Sequence, residues 1–158
     1  MQVERNSVWQ VTRIDGIKDG MYRVLEHYAN DDLLILFRLH DGKALEKPVL
    51  VELPLFLESA KCGNSKISSY PIPFYQLISE EEISPAHRDK RNQRFELIHD
   101  LISNPEFLLD VALNQRSKTV ASHAKERRVY VQKIYRSLNQ YWRYGQEINA
   151  LLPAYKHC

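Results

Sequence analysis

The sequence predicts an α+β protein in two parts: a small β-rich domain over residues 1–78, then an all-α helix-turn-helix domain over 79–158. Three observations predict this. Short runs of strand formers separated by turn signals fill the first half. The apolar period changes from 2 to 3.6 beyond an acidic stretch at 79–85. Positive charge then collects in the last part of the chain.

The β-rich part is legible strand by strand. Residues 7–14 carry Val8, Trp9, Val11 and Ile14. Asp19-Gly20 marks a turn before 21–28, where Tyr22, Val24 and Leu25 supply strand formers. Asn30-Asp31-Asp32 is the next break. Residues 33–39, LLILFRL, are a continuous apolar run suited to a central strand. Asp41-Gly42 is a hairpin signal, and 48–53 supplies a further strand. The stretch PLFLESAK has Pro54 at its start and Gly63 just past its end, the asymmetry of a short helix. Gly63-Asn64-Ser65, Pro71 and Pro73 close the unit, so residues 5–76 read as a small mixed-β, barrel-like domain.

Glu80-Glu81-Glu82 reads as a solvated linker, and four helices follow it. Ser84-Pro85 is an N-cap with proline at the first helical position, and Phe95, Ile98, Leu101 and Ile102 recur at helical spacing. Ser103-Asn104-Pro105-Glu106 has the form of a capping box opening a helix over 106–113. Ser117 or Thr119 opens a third helix through Lys125. After a break at Glu126-Arg127-Arg128, a long fourth helix ends at Gly145, a C-cap residue.

Composition excludes several classes. With 158 residues, 44% hydrophobic and 27% charged, the chain can bury a core and is not disordered. No apolar run approaches the roughly 20 residues that span a bilayer, so no membrane partner is expected. The opening MQVERNSVWQ lacks the apolar core of a signal peptide, and only Cys62 and Cys158 are present. A reduced cytoplasmic setting fits. His27, His40, His87, His99, His123 and His157 show no metal-ligand spacing. Five glycines form no phosphate-binding loop, and nothing resembles an activated nucleophile. No catalytic residue, metal or cofactor is expected in this chain.

The net charge of +2 hides an asymmetry. Residues 116–158 hold 9 Lys/Arg against 2 Asp/Glu, a net of +7. Such a footprint suits a polyanion, although a basic solvated helix surface has the same count. The last long helix sharpens the choice. At about 100° per residue, Val131, Ile134, Leu138, Tyr141 and Trp142 share one arc and form a core stripe. Gln132, Arg136, Asn139, Gln140 and Arg143 fall opposite, and no acidic residue occurs from Arg127 to Gln146. Arginine offers a two-donor fork for guanine, while glutamine and asparagine match adenine. The expected base-reading residues are Val131, Gln132, Lys133, Arg136, Asn139, Gln140 and Arg143. The expected phosphate contacts are Arg116, Lys118, Arg127, Arg128, Tyr130 and Lys156.

Particular residues carry a family likeness. Ile134-Tyr135-Arg136 is followed by Tyr141-Trp142-Arg143-Tyr144-Gly145-Gln146 and by Asn149-Ala150-Leu151-Leu152-Pro153-Ala154-Tyr155. This run resembles the N-terminal DNA-binding region of TnsB, the DDE transposase subunit of transposons that also encode TnsA and TnsC. Trp9-Gln10-Val11 and Tyr22-Arg23-Val24-Leu25 are more loosely similar to the opening β segment of that family. The resemblance implies recognition of repeats at transposon ends, with TnsA-like and TnsC-like partners. The family's catalytic Asp, Asp and Glu lie C-terminal to this region, so the chain is expected to be a DNA-binding portion without strand-transfer chemistry. Two alternatives remain from the residues alone: a stand-alone transcriptional regulator, and a protein-docking module whose basic face meets an acidic partner.

Overall fold

A computed structural model describes residues 2–154. It is α+β: a five-stranded antiparallel sheet is followed by a helical region. The chain divides into two compact units, one of Met1–Tyr70 with Glu106–Ser117, the other of Pro71–Pro105 with Lys118–Cys158.

The first unit holds β1 (Val8–Val11), β2 (Gly20–Tyr28), β3 (Leu33–Leu39), β4 (Val49–Glu52), α1 (Leu53–Lys61) and β5 (Ser65–Ser68). Its sheet order is β4-β3-β2-β1-β5. With β4 and β5 at the two edges the sheet is open, which corrects the barrel-like closure expected from its short strands. The apolar run at 33–39 is an interior strand, as its composition requires. Leu34 and Leu36 join Trp9, Val11, Tyr22, Val24, Val51 and Phe56 of α1 in one core cluster. Trp9 meets Phe56 edge to face, ring centres 5.1 Å apart. Alternation sends Ile35 and Phe37, both fully buried, to the opposite face. α1 ends as Gly63 predicts: at φ 81° this glycine lets its own N–H reach Ala60 O and the next N–H reach Ser59 O.

The helix α3 (Phe107–Leu113) belongs to this same unit. It packs on β3 and β4 with Phe107 and Val111 buried. Lys47 Nζ donates to the carbonyls of Asn114 and Gln115, placing a cation on the orphan acceptors past the helix end. The expected capping box does not form. Glu106 occupies the N-cap position with helical φ and ψ and makes no side-chain cap bond.

The second unit holds α2 (Pro85–Ile102), α4 (Lys118–Arg127), α5 (Val131–Arg143) and a 3-10 turn at Ile148–Leu151. Ser84 caps α2 as expected, accepting from the His87 N–H at 3.3 Å. Ile98, Val120, Ile134, Leu138, Trp142 and Leu151 are fully buried in it. His123 lies in this core too, its Nε2 paired with Leu97 O at 2.6 Å, which ties α4 to α2.

Glu80 is not a free linker charge. Its carboxylate takes both ends of the Arg91 guanidinium, at 2.7 and 2.8 Å, and Arg91 also donates to Asn149 Oδ1 at 2.9 Å. Arg91 is nearly fully buried, so this set of bonds satisfies a desolvated cation.

Candidate nucleic-acid interface

The candidate interface lies in the second unit, where α4 meets α5 through three residues: Arg128, Val129 and Tyr130. The turn is a Schellman motif. Val129 N–H reaches back to Ala124 O at 3.0 Å, and Arg128 N–H to Lys125 O at 3.3 Å. That closure puts Arg128 at φ 58°, the left-handed position that glycine usually fills. The Arg128 side chain is nevertheless exposed, with no acidic partner among the described residues. Tyr130 follows at the N-cap of α5, 84% exposed. A second closure ends α5, where Gly145 at φ 98° lets the Gln146 N–H reach Tyr141 O at 2.8 Å.

The first turns of α5 present Gln132, Lys133 and Arg136 to solvent, with Val131 half-buried beside them. The core stripe is as the periodicity predicts for Ile134, Leu138 and Trp142, while Tyr141 is half-buried.

Three expected base readers sit differently. Asn139 is only 3% exposed, and its amide donates to Tyr135 O at 2.9 Å. It stands off the apolar stripe yet is closed off by packing, which corrects its place on the reading face. Gln140 is half-buried and engaged at both ends of its amide, donating to Leu152 O at 3.0 Å and accepting from Arg94. It fastens α5 to α2 and to the C-terminal segment. Arg143 is half-buried in the last turn of α5.

The expected phosphate contacts also divide. Arg127 is ion-paired to Glu96 and, at 3.4 Å, to Asp100, both on α2. Its guanidinium is raised in pKa chiefly by the hydrogen bond it donates to Glu96. It therefore braces α4 against α2 and is not an open phosphate donor. Lys118 is exposed at the start of α4. Arg116 is exposed and belongs to the first unit. Lys156 lies outside the described residues.

α2 is a further source of positive charge, not expected from the sequence. Lys90 and Gln93 are exposed on it and line a groove with Arg94, Lys133 and Arg136. The signal was present as a basic and an amide residue one turn apart. Acids outnumber bases over 79–115 as a whole, which hides it. Among the described residues, no group of three or more His, Cys, Asp or Glu side chains could hold a metal ion. No described helix is long and apolar enough to cross a membrane.

Residues from the family-like run hold this architecture together. Asn149 bonds Arg91 and, through Nδ2, Gln76 O at 3.3 Å. Ala150, Leu151 and Leu152 are buried. The run thus closes the core behind α2 and α5, while Tyr155 at its end lies outside the described residues.

The geometry defines a class: a three-helix unit in which two helices meet at a tight turn, with a third bracing both. Residues 91–155, 65 of the 158, match the family model described as the TnsB second domain. That match agrees with the resemblance carried by Ile134 to Tyr155. The match does not reach residues 1–90. No curated protein matches the chain.

Proposed function

We propose that this chain binds double-stranded DNA sequence-specifically, recognising repeats at transposon ends as a non-catalytic, DNA-reading part of a TnsB-type transposase. The observation that carries the reading is the exposed start of α5. Gln132, Lys133 and Arg136 project there without an acidic neighbour on the helix, directly after a turn that exposes Arg128 and Tyr130. Early and middle positions of a recognition helix lie deepest in the major groove. Arg136 supplies the fork for guanine O6 and N7, and Gln132 the paired donor and acceptor for adenine. Arg128, Tyr130 and Lys118 contact phosphates and set register. In this reading the chain works within a transposition complex, with TnsA-like and TnsC-like partners, on nucleoid DNA. Strand transfer is assigned to no residue of this chain.

The test is titration of labelled duplexes carrying the ends of the parent element, against scrambled duplexes of equal length. Wild type prefers the ends. Arg136→Ala weakens end binding by about 5- to 150-fold, the equivalent of 1–3 kcal/mol, and scrambled binding far less. No preference in the wild type, or equal losses on both duplexes, overturns the reading.

A further inference from the structure

Between α2 and α5, wholly within the second unit, runs a groove of about 430 Å³. Lys90 and Gln93 of α2 form one wall, Lys133 and Arg136 of α5 the other. Lys90, Lys133 and Arg136 are exposed and, among the described residues, form no ion pair. Arg94 is fixed at the floor, donating to Leu151 O at 3.0 Å and to Gln140 Oε1 at 3.4 Å. Glu96 is the sole acid in the lining, and Arg127 occupies it. The groove therefore presents a surplus of cations and an amide donor, with its one carboxylate already neutralised.

We infer that this groove holds the phosphodiester backbone of the bound duplex, which makes α2, through Lys90 and Gln93, a second DNA-contacting element beside α5. The inference rests on the proposed reading of α5 and extends it. Lys133 and Arg136 belong both to the exposed start of α5 and to the groove wall, so the reading face and the groove are continuous. A duplex whose base edges face α5 carries its flanking phosphates past that shared wall. Phosphodiester oxygens are acceptors only, and the groove offers them ammonium, guanidinium and amide N–H donors. A contact of this kind adds affinity and salt dependence without sequence preference.

The test uses the full chain with Lys90→Glu, Lys90→Gln and Lys90→Arg, titrated on end and scrambled duplexes over a range of salt. Lys90 is exposed, so thermal melting of the three variants should match wild type. Lys90→Gln should weaken both duplexes by the same factor and lower the slope of log affinity against log salt by about 0.9. Its deficit then narrows about 3-fold between roughly 50 and 200 mM salt. Lys90→Glu should weaken both further, and Lys90→Arg should restore binding. If wild type prefers the ends but Lys90→Gln and Lys90→Glu keep both affinity and slope, the groove assignment is wrong and the α5 reading stands. If wild type shows no preference, the α5 reading itself has failed. Unchanged duplex binding by Lys90→Glu, with loss of binding to a labelled polyglutamate peptide, would overturn the phosphate assignment in favour of an acidic protein partner.

Discussion

Arg128 offers the cleanest separation of stability from binding. It holds the left-handed position of the turn at φ 58°, where an L residue is strained by about 1–2 kcal/mol. Glycine removes that strain but loses about 0.5–1 kcal/mol more chain entropy on folding. Arg128→Gly should therefore stabilise the helical unit by about 0.5–1 kcal/mol. For a unit of this size that raises the melting temperature by roughly 2–8 °C. The same change removes an exposed cation beside the start of α5, so it should weaken end and scrambled duplexes alike and lower the salt slope by about 0.9. Arg128→Ala is the matched control: it keeps the strained backbone and loses the charge. It should melt near wild type and bind DNA as poorly as the glycine variant. Differential scanning fluorimetry and anisotropy titrations read both quantities. A glycine variant that melts no higher than the alanine variant refutes the strain argument. Two variants that bind as well as wild type refute the phosphate role of Arg128.

Two further outcomes follow from the second unit. Trp142 is 1% exposed, so Trp142→Ala should destabilise that unit by about 3–5 kcal/mol; a chemical denaturation midpoint close to wild type would move Trp142 out of the core. Arg91 holds the Glu80 carboxyl below the usual carboxylate range, first through the hydrogen bond. A carboxylate with a depressed folded pKa stabilises the fold above its unfolded pKa and loses that contribution as pH falls through the folded pKa. Glu80→Gln should thus melt below wild type at neutral pH, and the gap should close in acid. A gap that persists in strong acid would show that shape, not charge, makes the contribution.

Local signals in this chain were reliable, and long-range ones were not. LLILFRL reads as an interior strand because burial on both faces demands apolar residues at every step. Pro85, Gly63 and Gly145 mark helix ends through backbone constraints that act within a turn or two. β5 escaped notice because SKIS has one apolar residue, and its strand character comes from pairing with distant β1. The periodicity of α3 is plain, but Phe107 and Val111 would suit a helix bundle as well as a sheet, and nothing local says which. Arg127 counted as a free cation because its partners Glu96 and Asp100 lie a helix away. Asn139 and Arg136 both stand off the apolar stripe of α5; only three-dimensional packing shows that one is covered and the other open.

The polypeptide enters the helical unit at Pro71, leaves it at Glu106 to lay α3 on the sheet, and re-enters at Lys118. Neither unit is a contiguous stretch, and this governs how the protein can be cut and how it is made. Truncation at residue 79, where composition changes, strips α3 of its sheet and bares Phe107 and Val111. Truncation at residue 91, where the family match begins, slices α2 in its second turn and discards Glu80, leaving buried Arg91 without its counter-ion. On the ribosome, the sheet cannot complete its α3 face until residue 117 has emerged, by which time α2 is already waiting for α4 and α5. The two units are therefore co-dependent products of one uninterrupted synthesis rather than modules that can be exchanged end to end.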